Sequence, residues 1–394
     1  MKRGRTLFFA GLAIALIPTL ARYYLLWPLP GSQTLESMRW AYTLSHVVLP
    51  AQILGGLLAA VGLVAFLRQP AKRKTRLWVA ATAVASLALY GFTVRYSAPT
   101  IFKPLLEPRF ATGTSDELPP ETLVLGIRSG EVAKAYPIRL IAYHHQVTDE
   151  LDGEPIWVTY CTMCRTGKVF RPLVGGRPAT FDLLGAVRYN SIYRDSVTGS
   201  YWYQANGRAV AGPAAGEVLK ELRSDQMSLA RWLEMYPESR VLQPDPAHAD
   251  GYRLYGFDTF DERRSDPENP IGWQWVVGVR HGDVARGYAW SMLAGDRLLQ
   301  DEIGDLPIAI HLLPDDFSHR AWDRRLDGRV LDLRLDAETD RLIDDASGSS
   351  FGFDGVAVGG ELDGQRLRPV PSTVEYRHSF EYFSDAEIVE GSSS

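Results

Sequence analysis

VLGIRSGEVAKAYPIRLIAYHHQVTDELDGEPI, residues 124–156, returns as VVGVRHGDVARGYAWSMLAGDRLLQDEIGDLPI, residues 276–308, at a constant offset and without a gap. About a third of the positions are identical, and many others exchange like for like. Further on, DSVTGSYW at 195–202 resembles DASGSSFG at 345–352, and GRAVAG at 207–212 resembles GVAVGG at 355–360. The sequence therefore reads as two copies of one unit, about 121–222 and 273–370. A single repetition at so long a period describes two related subdomains rather than a solenoid.

Inside a copy the local signals are mostly β. VLGIR and EVAKAY flank a Ser-Gly turn; HQVTDEL and EPIWVTY flank an Asp-Gly turn; VFRPLV and RPATFDLL flank Gly-Gly. Pro137 opens a short helical turn over 137–144. The clearest helix is expected over 225–236, capped by Ser224 and ended by Pro237. Turn residues at such short spacing predict an α+β fold made mainly of antiparallel β hairpins. The tail, 381–394, reads as solvated.

The first 99 residues differ in kind. They hold eleven Lys/Arg and one acid, Glu36, whereas the whole chain is −5. Residues 100–394 are thus strongly acidic, which argues against nucleic-acid binding, since that needs a basic face. Three apolar stretches, about 7–29, 44–67 and 77–96, are each long enough to cross a bilayer. Basic residues precede the first (Lys2, Arg3, Arg5) and lie between the second and third (Arg68 to Arg76). The positive-inside bias then places the N-terminus in the cytoplasm and the rest, from residue 97, outside. Arg22 and His46 fall near the outer interface, where long side chains snorkel. The expected organisation is a three-span, multi-pass anchor over 1–99 in the lipid bilayer, a first copy with its following helix over 100–245, a second over 246–380, and the tail. The C-terminal portion is expected to be periplasmic or extracellular.

Comparison of the copies separates scaffold from chemistry. Gly126, Gly130, Ala133, Tyr136, Asp149 and Pro155 recur as Gly278, Gly282, Ala285, Tyr288, Asp301 and Pro307. The reactive residues do not recur. His144 and His145 face Asp296 and Arg297; Cys161 and Cys164 face Leu313 and Asp316. The second copy is degenerate in this respect.

Cys161 and Cys164 are the only cysteines. In YCTMCRTG they sit on an expected hairpin tip, with Gly167 as its permissive residue. No helix is expected to start after Cys164, which separates this motif from the thioredoxin type. Both sulfurs pointing to one side can share a metal, with His144 the best third ligand, and His145, Met163 and Asp195 as further donors. One copper or zinc ion is the cofactor such a set would take. Outside the cytoplasm the same pair can close a structural disulfide or work as a thiol–disulfide redox pair. A second dense patch, RYNSIYRDSVTGSYWYQ (188–204), offers Tyr189, Asn190, Tyr193, Asp195, Trp202 and Gln204 as a ligand-binding set. Its alternation fits an aromatic core strand pair equally well. No phosphate loop, nucleophile elbow or H-E-x-x-H helix occurs.

At these residues the chain resembles the domain-of-unknown-function family numbered 3179, found in bacterial and archaeal proteins. The resemblance runs over roughly 121–245. It rests on Ala135-Tyr136-Pro137, on Tyr143-His144 with Val147 and Asp149, and on Thr159-Tyr160-Cys161 with Cys164. It continues through Tyr189-Asn190, Asp195, Thr198-Gly199-Ser200, Trp202 and Gln204. His145 stands where the family often has an acid, and Thr162 where it often has proline. The resemblance implies a family and no particular chemistry.

Overall fold

The computed structural model describes residues 2–115, 118–254 and 273–390. The last part of the linker between the repeated segments, 255–272, and the Gly-Ser end of the tail lie outside the described residues. The chain divides into two compact units: Met1–Lys103 with Leu173–Val218, and Pro104–Pro172 with Leu219–Ser394.

The first unit begins with helices α1 (Lys2–Leu26), α2 (Met38–Leu67) and α3 (Arg73–Arg95), all long and apolar enough to cross a membrane. Helices α1 and α2 pack closely because small residues meet along the seam. A Cβ on Gly11 would collide with the Ala59 backbone nitrogen. The unit also holds a four-stranded antiparallel sheet, Phe181–Val187, Asn190–Asp195, Tyr201–Tyr203 and Ala209–Ala211 in chain order. Its first hairpin turns through Arg188 and Tyr189, both left-handed at φ 55° and 57°. Such a turn suits strand twist but strains residues with a Cβ. The loop between α1 and α2 holds it. Gln33 Oε1 accepts from the Tyr189 N–H (2.9 Å), Gln33 Nε2 donates to the Ala186 carbonyl (3.1 Å), and Arg188 pairs with Glu36.

The second unit is built from sheets whose order occurs twice. Ser224–Ser228, Leu123–Ser129, Val132–Pro137 and Arg240–Leu242 lie side by side, the last parallel, with Phe110–Thr112 added at the edge. Ser372–Tyr376, Trp275–His281, Val284–Ala289 and Glu387–Val389 repeat that order and that parallel pairing. A second pair of sheets follows the same rule. Gln146–Leu151, Glu154–Cys161, Thr166–Phe170 and Glu221–Leu222 match Leu298–Ile303, Leu306–Leu312, His319–Asp323 and Arg368–Val370.

Local details recur with the order. The helices Ile138–His144 and Trp290–Asp296 both end on a left-handed residue, His145 (φ 61°) and Arg297 (φ 57°). Tyr136 donates to Asp149 (2.6 Å) as Tyr288 does to Asp301 (2.8 Å). Apolar faces of both segments, including Tyr136, Ile156, Val158, Tyr288, Ile308 and Ile310, form one buried core.

Three expectations are corrected. The helix expected over 225–236 is Leu229–Met235, capped by Ser228; Ser224–Ser228 is a strand because it pairs with Leu123–Ser129. The tail is solvated only in part: Tyr382, Asp385, Glu387 and Glu390 are exposed, but Phe383 is buried at the end of the helix Arg377–Ser384, and Glu387–Val389 adds a parallel strand to Val284–Ala289. The pairing of 195–202 with 345–352 shifts by one residue. Asp344 occupies the place of Asp195, and the Ser349 hydroxyl accepts from the Leu362 N–H as Ser200 does from Ala214. Two adjacent aspartates, Asp344 and Asp345, had obscured the register.

Candidate functional site

The cysteines lie where an antiparallel strand pair closes. Glu154–Cys161 runs into Thr166–Phe170, and Cys161 faces Thr166 across the ladder. The turn is made by Arg165, left-handed at φ 58°, rather than by Gly167. Gly167 lies in the strand, where an added Cβ would press on the Leu125 side chain. Thr162 and Met163 form a half-buried tip between the two cysteines, which are themselves only 1% and 0% exposed.

The two cysteines are not joined in a disulfide, and their side chains hydrogen-bond to one another. Burial pushes the Cys164 thiol well above its usual pKa; the neighbouring Cys161 thiol and the Glu375 carboxylate add to this. The Thr166 hydroxyl, which hydrogen-bonds to the Cys164 side chain, works the other way. That hydroxyl also donates to Glu375 Oε2 (3.0 Å), which accepts a second bond from Ser379 (2.6 Å). The Tyr376 N–H donates to the Cys164 carbonyl (2.9 Å), and the Arg165 guanidinium lies over the Trp275 ring. The second segment thus supplies one wall of the cysteine site.

The two histidines fall in different surroundings. His144 is buried with its Nε2 2.7 Å from the Tyr252 hydroxyl, and its ring meets those of Tyr143, His248 and Tyr252. Burial raises the Tyr252 phenol to about 12. His145 lies nearer the cysteines, with Nε2 3.4 Å from the Thr162 hydroxyl, and burial lowers its pKa to about 4. Among the described residues, no group of three or more His, Cys, Asp or Glu side chains is gathered closely enough to hold a metal ion.

The patch at 188–204 belongs to the first unit. Asn190, Tyr193, Asp195, Trp202 and Gln204 are buried, whereas Tyr189 is half-buried in the turn. They satisfy one another: Asn190 Nδ2 donates to Gln204 Oε1 (3.1 Å), and Trp202 Nε1 to Asp195 Oδ2 (2.8 Å). Burial pushes the Asp195 carboxyl up, but bonds from Trp202, Thr198 and Val197 outweigh it and hold it below the usual range.

A family model described as "Protein of unknown function (DUF3179)" matches residues 97–387, about three-quarters of the chain. The chain belongs to this family. No curated protein and no solved structure matches it. The DUF3179 region is longer than the motif residues suggested, since it takes in both repeated segments. Its motif residues now have physical partners within the chain. Tyr136 is bonded to Asp149, Asn190 to Gln204, and Trp202 to Asp195. Glu375, Thr166 and Tyr252 were missed from sequence. Glu375 and Tyr252 reach the cysteines or His144 only through the packing of distant segments, and none belongs to a spaced motif.

Proposed function

We propose that this DUF3179 protein is a membrane-anchored dithiol protein whose Cys161 and Cys164 pass between dithiol and disulfide. The observation that carries this reading is the pair itself: two buried thiols in mutual hydrogen-bond contact on either side of a half-buried tip. Closing the bond releases two protons and two electrons to an acceptor disulfide. The basic residues flanking the apolar helices support placing the pair outside the cytoplasm, where such chemistry persists. We also read the repeated strand order as an internal duplication in which the second copy serves as a wall for the first copy's site.

Copper(I) binding is the competing reading, because two sulfur donors satisfy that ion whereas zinc takes four. The test uses the full-length protein in detergent. Thiols are counted after equilibration in glutathione buffers of defined potential, and bound metal is measured on the same samples. A reversible loss of both thiols together is the expected result. Thiols that stay reduced and take up one copper(I) per chain would replace this reading with the metal one. A disulfide that opens only on unfolding would make the pair a staple.

A further inference from the structure

We propose that Glu375 receives the proton that Cys164 gives up when the disulfide closes. The inference rests on the dithiol reading and adds an acid–base partner from the other repeated segment. Glu375 is completely buried. One carboxylate oxygen is held by Thr166 and Ser379, while Oε1 is buried with no hydrogen-bond partner. An unpaired buried carboxylate oxygen is costly, so such a group is expected to have a use or a compensation. The fold does not demand it. Residue 375 pairs with Val276 as Met227 pairs with Val124, and at that equivalent place the chain buries a methionine.

The geometry joins donor to acceptor through one hydroxyl. Thr166 hydrogen-bonds to the Cys164 side chain and donates to Glu375 Oε2 at 3.0 Å. The titratable and charged groups around the thiol are Cys161, Tyr160 and Arg165 on its own hairpin, Glu375 and Tyr376 on the facing strand, and His145 beside Thr162. Loss of the Cys164 proton to solvent would leave two anions in a buried site. Transfer to Glu375 moves one negative charge from carboxylate to sulfur and creates no second one.

The step balances. Cys161 sulfur attacks an acceptor disulfide, and its proton leaves with the departing half as a thiol, so that a mixed disulfide remains. Cys164 passes its proton to Glu375, its sulfur attacks the Cys161 sulfur, and the second half of the acceptor leaves as thiolate. Two electrons pass from the cysteines to the acceptor. Cys164 is therefore the resolving thiol, and Glu375 acts through Thr166 as a positioning and proton-holding residue.

The experiment uses 4,4′-dithiodipyridine on the full-length protein, because it releases one thiopyridone per step. Wild type should release two, the second with a rate that changes with pH. Glu375→Gln should leave the first release within a factor of two and slow the second at least tenfold, with its pH inflection lost. Glu375→Asp should recover much of the rate. An unchanged second phase in a folded Glu375→Gln protein, checked by near-ultraviolet circular dichroism, overturns the assignment of Glu375 alone. If that variant does not fold, Thr166→Val decides: a slowed second phase supports the relay, and an unchanged one removes it. Failure of wild type to release a second thiopyridone would instead overturn the dithiol reading itself.

Discussion

Asp149 and Asp301 occupy matching places, yet they do not stabilise equally. Asp149 accepts from Tyr136 and from both approaches of Lys134 Nζ (2.9 and 2.8 Å), and the ion pair is more than nine-tenths buried. Asp301 makes the corresponding bonds to Tyr288 and Arg286 with about 30% of each partner of the ion pair exposed. Removing one partner of a buried pair leaves an uncompensated charge, at a cost of about 3–5 kcal/mol. Asp149→Ala should therefore lower stability by roughly that amount, and Asp301→Ala by about 1 kcal/mol, as solvent screens what remains. Chemical denaturation of both variants measures the difference; equal losses would contradict this account. At the same scale, reading Gly167 as the turn residue was reasonable but wrong. Glycine's lack of a side chain serves close packing on Leu125, while Arg165 takes the left-handed backbone.

At the scale of elements, the three long apolar helices are part of a folded unit with the 181–211 sheet. Strand Phe181–Val187 approaches the end of α1 so closely that a Cβ on Gly185 would strike the Leu26 carbonyl oxygen. Tyr42 of α2 packs edge-on against Tyr201 (5.2 Å), and Gln33 caps the strained 188–189 turn. A fragment starting at residue 100 loses all of these partners. Hydrogen exchange over 181–211 should accelerate at least tenfold in that fragment, with little change in the 124–161 hairpins. Gly185→Val in the full chain should give the same local signature. Uniform protection in the fragment would sink the idea. The hairpins themselves were legible, because Asp152-Gly153 and Gly175-Gly176 carry positive φ where the turns were expected. The Ser224–Ser228 strand was not. Its residues suit a helix start, and only pairing with Leu123–Ser129 makes them a strand.

For the molecule as a whole, acid is the predicted weakness. His145, His311 and His319 are all buried, and desolvation lowers each to about 4 from an ordinary 6.5. The folded state thus binds these protons less readily than the unfolded chain. Their contribution is fully present above about pH 6.5 and is lost as pH falls towards 4. Each histidine adds a slope of ~1.4 kcal/mol per pH unit where the unfolded form is protonated and the folded form is not. Both ring nitrogens of His311 are buried without hydrogen-bond partners, so His311→Leu should reduce the slope by about one proton. Unfolding free energies between pH 4 and 7 test this; an unchanged slope in the variant would remove His311 from the explanation.

The amino-acid sequence by itself determined the apolar spans, the hairpins, the recurring Tyr and Asp positions and the pairing of two cysteines on one tip. Each depends on composition or on neighbours a few residues apart, and such short-range physics is written locally. Tertiary structure decided what surrounds the cysteines. It set His144 against Tyr252, 108 positions away, and brought Glu375 to Thr166 across 209 positions. It also turned part of the tail into a sheet edge and fixed the strained turn at 188–189 to the loop between α1 and α2. Those outcomes depend on which buried faces meet, and the pairing of distant apolar surfaces leaves no spacing in the chain to read.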